Sequence, residues 1–200
     1  MAYGTFKTLG EVGEKFNIES SREKFVSENS TQINEGILEF LQNRLSSQTS
    51  YVSENSISEM IIAPILVVIS EKHNLPIWSH VRFDVSEEDG LIGVPDFLLA
   101  PASKMGDTYK SPVVCIAEVK KENFSEGWVQ VLCEMIAAQR FKGEPQKTIY
   151  GIATGGSIWQ FAKIVGKKFV LDPRIYSATV NLQQVLDVLN WFIGEAKKEL

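Results

Sequence analysis

Two acids stand where acid is costly. Asp96 lies inside the run Gly-Val-Pro-Asp-Phe-Leu-Leu-Ala at 93–100, and Glu118 inside Val-Val-Cys-Ile-Ala-Glu-Val-Lys at 113–120. A carboxylate in an apolar run loses hydration and needs a compensating partner. Side chains alternate along a strand, so Glu118 and Lys120 share one face, about 7 Å apart along it. A symmetric hairpin folding about Asp107 sets position 96 opposite 118. Directly opposed Cβ atoms are about 4.5–5.5 Å apart. Two carboxylates so placed repel by about 4 kcal/mol at about 4 Å and an effective dielectric of about 20. A divalent cation removes that penalty, and oxygen ligands with open water positions suit Mg²⁺ or Mn²⁺. A structural ion pair competes with this reading: Lys120 neutralises Glu118, and Asp96 caps a strand end. The short pattern leaves both open.

Other chemistries are poorly provided for. Gly155-Gly156 is not followed by the Gly-Lys-Ser/Thr of a phosphate loop, and GxGxxG, GxSxG and HExxH are all missing. His73 and His80 are the only histidines, too few for a His-rich metal site. His73 sits at an expected helix C-terminus, where a cation suits the dipole, and both histidines read first as structural. Cys115 and Cys133 lie in apolar stretches outside any CxxC. They read as reduced core residues of a cytosolic protein.

Lys plus Arg number 20 and Asp plus Glu 25, for a net charge of −5, which excludes a strongly basic, histone-like binder. The first hundred residues carry 7 basic and 15 acidic side chains, the second hundred 13 and 10, so a polyanion is expected to meet the second half. The longest apolar stretch, 60–69, is broken by Pro64 and is half of the about 20 residues a bilayer span requires. The N-terminus lacks the charged-then-apolar pattern of a signal peptide. A cytoplasmic location is the expectation.

The elements that must position the acids follow from periodicity. A short helix is expected over 9–16. A second runs from a cap at Asn29 or Ser30 to about 46, and a third from Asn55 or Ser56 to about 73, with Ser56 and Glu59 as a capping box and a kink or late start at Pro64. Strands are expected over 77–85 and 91–100, joined by the turn at 87–90, and a central strand over 112–120. A helix over 123–141 carries the stripe Trp128, Val131, Leu132, Met135 and Ile136. Strands over 148–153 and 157–164 flank Thr154-Gly155-Gly156. Shorter strands near 168–171 and 175–180 precede a final amphipathic helix over 181–200. This order fits a sheet with helices packed on it. Two hundred residues make one domain, in which roughly 70% of the unfolded surface is buried.

Pro95-Asp96 followed by Glu118-Val119-Lys120, with an acidic residue, Glu59, on a preceding helix, resembles the PD-(D/E)XK phosphodiesterase superfamily. The helix 58–66 resembles the one that opens the nuclease domains of type I restriction enzyme R subunits. Gly151-Ile-Ala-Thr-Gly-Gly-Ser-Ile-Trp-Gln-Phe resembles their following hairpin, and Gln130 matches a Gln often found there. The resemblance spans about 53–164. It implies an α/β fold, a restriction endonuclease-like mixed sheet flanked by helices, over 51–200, with 1–50 as an N-terminal helical extension. It implies that Asp96, Glu118 and the backbone carbonyl of Val119 hold Mg²⁺ or Mn²⁺, with Glu59 reaching the metal through water or serving a second ion. Lys120 then orients or activates the attacking water, and Gln130 positions the lysine or the substrate. The implied partner is nucleic acid, DNA first, and a homodimer would suit double-strand cutting. A non-catalytic member that binds nucleic acid or protein is the alternative. Lys121, Arg140, Lys142, Lys147, Lys163, Lys167 and Lys168 are the candidates for a DNA-facing groove. Trp128 and Trp159 could stack on bases but read first as core.

Overall fold

The structure, a computed structural model, describes residues 3, 5–110, 113, 115–120, 123–141 and 143–200, with the backbone alone at 115 and 116. In chain order it runs α1 (Leu9–Phe16), β1 (Glu19–Arg22), α2 (Glu35–Ser46), a 3₁₀ turn (Gln48–Tyr51), α3 (Glu54–Ile57), a π-helical turn (Ser58–Ile62) and α4 (Ala63–Lys72). Then come β2 (Ile77–Ser79), β3 (Phe97–Leu99), β4 (Cys115–Val119), α5 (Phe124–Phe141), β5 (Ile149–Thr154), β6 (Ile158–Val165), β7 (Lys168–Leu171), β8 (Tyr176–Ser177) and α6 (Leu182–Lys197). The fold is α/β: one mixed sheet flanked by helices. Its strand order is β1-β7-β6-β5-β4-β3-β2, with β8 on β6. β1 pairs with β7, and β4 with β5, in parallel; the other pairs are antiparallel.

Alternation along the strands divides the core in two. Leu99, Phe161 and Ile152 point to the side of α4 and α6, where they meet Ile65 and Phe192. Leu98, Ala153 and Phe169 point to the side of α5, against Trp128 and Leu132. Trp128 and Trp159 are both core residues, 4% and 0% exposed. Cys133 is buried and free, whereas the Cys115 side chain lies outside the described residues. Among the described residues, no helix is long and apolar enough to cross a membrane.

Several boundaries differ from expectation for identifiable reasons. α2 is capped by Asn34, whose side chain accepts from the Gly36 N–H at 2.9 Å, and not by Asn29 or Ser30. The preceding stretch is held off the helical path: Asp172 Oδ2 accepts from the Phe25 and Val26 N–H groups, and Asp187 Oδ1 from that of Thr31. The third helix starts earlier than expected. Ser53 is its N-cap, accepting from the Ser56 N–H at 3.1 Å, so Glu54 and not Ser56 opens the first turn. The π turn before Pro64 bonds the Ala63 N–H back to the Ser58 carbonyl, five residues away, and Pro64 at the start of α4 has no N–H to place. The strands expected over 77–85 and 91–100 shrink to β2 and β3. His80, at a φ of 51°, turns the chain out of the extended region directly after β2. The tip at 87–90 is a turn, with a Ser86–Leu91 bridge behind it. β1 carries no apolar alternation and was not expected. It joins residues 1–50 to the sheet through β7.

Candidate functional site

β3 and β4 pair Phe97 with Ala117, Leu98 with Ile116 and Leu99 with Cys115. Continued by one residue, that register sets Asp96 opposite Glu118, the pairing expected from a hairpin symmetric about Asp107. The two carboxyls lock each other's strand. Asp96 Oδ2 accepts from the Val119 N–H at 2.8 Å, and Glu118 Oε1 accepts from the Asp96 N–H at 3.2 Å. These bonds leave further lone pairs on both carboxylates.

The two acids differ in their access to water. The Asp96 side chain is 24% exposed, and its Oδ1 lies 3.5 Å from His80 Nε2. The His80 backbone N–H also donates to the Asp96 carbonyl, and its Nδ1 meets the Ser79 hydroxyl at 2.8 Å. Glu118 is 2% exposed. Burial first, and the Asp96 charge second, push its carboxyl up to about 8, against the opposing influence of Glu134, Lys120 and the Asp96 N–H.

Asp96, Glu118, Val119, Lys120 and Gln130 line one cleft of about 200 Å³. Its facing wall is helical: Glu54 and Asn55 of α3, and Ser58 at the start of the π turn. Glu54 and Ser58 are four residues apart and therefore share a helix face. Glu59 is exposed and is not among the lining residues. One residue beyond Ser58, it is rotated about 100° off the cleft-facing side. Once Ser53 is recognised as the cap, the acid on that face is Glu54. The Ser53-to-Ser56 spacing was the signal that could have found it.

The Thr-Gly-Gly-x-x-Trp hairpin holds the two walls together. The Thr154 carbonyl accepts from the Lys120 N–H at 2.9 Å. The Thr154 hydroxyl donates to the Ile158 carbonyl and accepts from the Gly156 N–H, while the Trp159 indole N–H donates to the Gly156 carbonyl. Gly156 has a φ of 80°, and a Cβ there would stand 2.9 Å from Ile57 Cγ2. The turn thus presses directly on the helix that carries the second wall.

One member of the neighbourhood had no signal in the sequence reading. Glu134 lies on α5 beside the apolar stripe, on the face it shares with Gly127 and Gln130; it is 0% exposed, and among the described residues its carboxyl meets no N–H donor and has the Glu118 carboxyl as its neighbour. Burial first, and the Glu118 charge second, hold it well above the usual carboxylate range. Two buried carboxyls beside Asp96 are thus biased to their neutral forms, and ionising them calls for a nearby cation. That environment, an all-oxygen donor set and the neighbouring cleft suit a hard divalent cation. Among the described residues, no group of three or more His, Cys, Asp or Glu side chains is arranged to hold a metal. A metal here would therefore rest on Asp96 and Glu118, completed by the Val119 carbonyl and water, the sparse protein ligation Mg²⁺ favours.

The described basic residues among those expected to form a DNA-facing groove do not line the cleft. Arg140 pairs with Asp89 and sits over the Phe16 ring. Lys147 pairs with Glu144, and Lys168 with Glu23. Lys163 lies over the Phe25 ring, and Lys167 donates to the Phe16 carbonyl. Lys121 and Lys142 lie outside the described residues. Compared with protein-family models, curated proteins and solved structures, the chain matches none.

Proposed function

We propose that the protein is a metal-dependent nuclease of the PD-(D/E)XK kind, hydrolysing phosphodiester bonds of DNA. The observation that carries this reading is the Asp96–Glu118 pair, opposed on adjacent strands and locked through reciprocal backbone bonds, with Lys120 in the same cleft. In this reading Asp96 and Glu118 hold Mg²⁺ or Mn²⁺. The bound ion supplies an acidified water and a clamp on phosphate oxygens. Lys120 contributes a compact positive charge that orients the attacking water and offsets charge building on the phosphoryl oxygens. Gln130 holds the lysine or the scissile phosphate from the α5 side. Glu54, from the helical wall, takes the outer-sphere role that the resemblance would have given Glu59.

The test is incubation with plasmid and with single-stranded DNA in Mg²⁺ or Mn²⁺. Cleavage is expected, lost with chelator and reduced about 100-fold or more by Lys120→Ala. Mn²⁺ is expected to raise the Tm of the wild type but not of Asp96→Asn. Absence of both cleavage and Mn²⁺ stabilisation refutes the reading. A second reading, a non-catalytic member of the same fold that binds a partner, draws on the internal engagement of the described basic side chains. Salt-dependent DNA binding without cleavage would favour it.

A further inference from the structure

We propose that Gly127 is a positioning residue for Lys120: the bare backbone of α5 at this point is the seat for the lysine's alkyl stem, and it fixes where the ammonium enters the cleft. Its catalytic meaning rests on the nuclease reading above; its geometry does not. A Cβ at Gly127 would stand 2.9 Å from Lys120 Cγ and 3.6 Å from Lys120 Cβ. Cγ is the second carbon of the stem, so clearing it swings everything beyond. The backbone offers no retreat, because the Lys120 N–H is bonded to the Thr154 carbonyl at 2.9 Å.

Packing of the helix against the sheet does not explain this glycine. The nearest sheet atom to the same Cβ is Ala153 Cβ at 4.0 Å, an ordinary contact. Gly151 is the contrasting case: a Cβ there would come within 2.6 Å of Val131 Cγ1 and 2.7 Å of Met135 Sδ, so the α5 side chains themselves demand that glycine. At position 127 only the lysine stem demands it. Glycine is among the poorest residues for a helix, and Gly127 lies inside α5, its N–H bonded to the Asn123 carbonyl. Gly127, Gln130 and Glu134 follow at spacings of three and four, one face of α5 turned to β4, which carries Glu118 and ends just before Lys120.

The experiment is a double-mutant cycle of wild type, Gly127→Ala, Lys120→Ala and the double variant. Tm, Mn²⁺ affinity by calorimetry, and kcat and KM for DNA cleavage are the readouts. In the Lys120→Ala background the alanine meets no stem, and helix propensity is expected to raise Tm; in the wild type that gain is expected to vanish or reverse. kcat is expected to fall at least tenfold in Gly127→Ala, with KM and Mn²⁺ affinity unchanged, and to fall no further in the double variant. Equal Tm changes in both backgrounds overturn the seat. An unchanged kcat, or a loss of Mn²⁺ affinity, overturns the positioning role. A wild type that never cleaves refutes the nuclease reading alone, because the Tm cycle still decides the seat.

Discussion

The molecule buries acid in two places and treats it in opposite ways. Asp172, just past β7, has a side chain with no exposed surface. It accepts from the Phe25 and Val26 N–H groups, from the Arg174 N–H, and from Arg174 Nε and Nη2 at 2.9 and 2.7 Å. Burial pushes this carboxyl up, but those donors outweigh it and leave Asp172 well below the usual carboxylate range. Glu134 likewise has no exposed surface, but among the described residues it meets no N–H donor and shares its surroundings with Glu118. The partners, not solvent exposure, distinguish the two. Asp172 is a structural rivet whose charge is met by the fold. The Glu118–Glu134 neighbourhood instead keeps its charge low by holding protons, and an external cation that displaced them would be the alternative compensation.

The contrast is sharpest in pH dependence. Glu118 is raised from 4.5 to about 8, so its contribution to metal-free stability is complete below about pH 4.5 and is lost as pH rises towards 8. Glu134 acts in the same direction. Asp172 is lowered from 3.8, so its contribution is present above that pH and is lost as pH falls further. Denaturant melts in chelator across pH 3–9 are expected to peak on the acidic side of neutrality. Glu118→Gln should flatten the alkaline limb and leave the acid limb in place; an unchanged alkaline limb contradicts the assignment. Next in size, Asp172→Ala is expected to cost about 3 kcal/mol, since it strands a guanidinium and several amide donors. Arg174 is 37% exposed, which holds the figure to the low end for a broken buried pair. Glu134→Leu should instead be neutral or stabilising by about 1 kcal/mol in metal-free protein, and a loss as large as that of Asp172→Ala would erase the distinction. Smallest, Ser53→Ala is expected to cost about 0.5–1 kcal/mol by removing the cap that sets Glu54 on the cleft face.

Much of this arrangement was legible in the sequence because local chemistry and tertiary need agreed. The opposition of Asp96 and Glu118 follows from counting residues about Asp107, and β3 and β4 keep that count. β7 and α1 fall on their expected boundaries because apolar periodicity and caps coincide there. What escaped was set by distant partners. The helix expected from a cap at Asn29 or Ser30 is delayed to Asn34, because the Asp187 carboxylate claims the Thr31 amide. β1 is polar throughout, and its pairing is supplied by the exposed edge of β7. Glu134 was hidden for the opposite reason: an acid off the apolar stripe of a helix reads as a solvent-facing residue until the sheet beneath it is known to carry another acid.

The π-helical turn at 58–62 has a consequence for how this chain tolerates length changes. The wide turn takes up one extra residue within a single revolution. Deleting one residue from it would restore ordinary winding with Glu54 and Asn55 still toward the cleft and α4 still in the core, whereas deleting one from the regular helix on either side would turn one flank against the other by about 100°. The bulge is thus the point along this helical axis where the chain best absorbs a change of one residue.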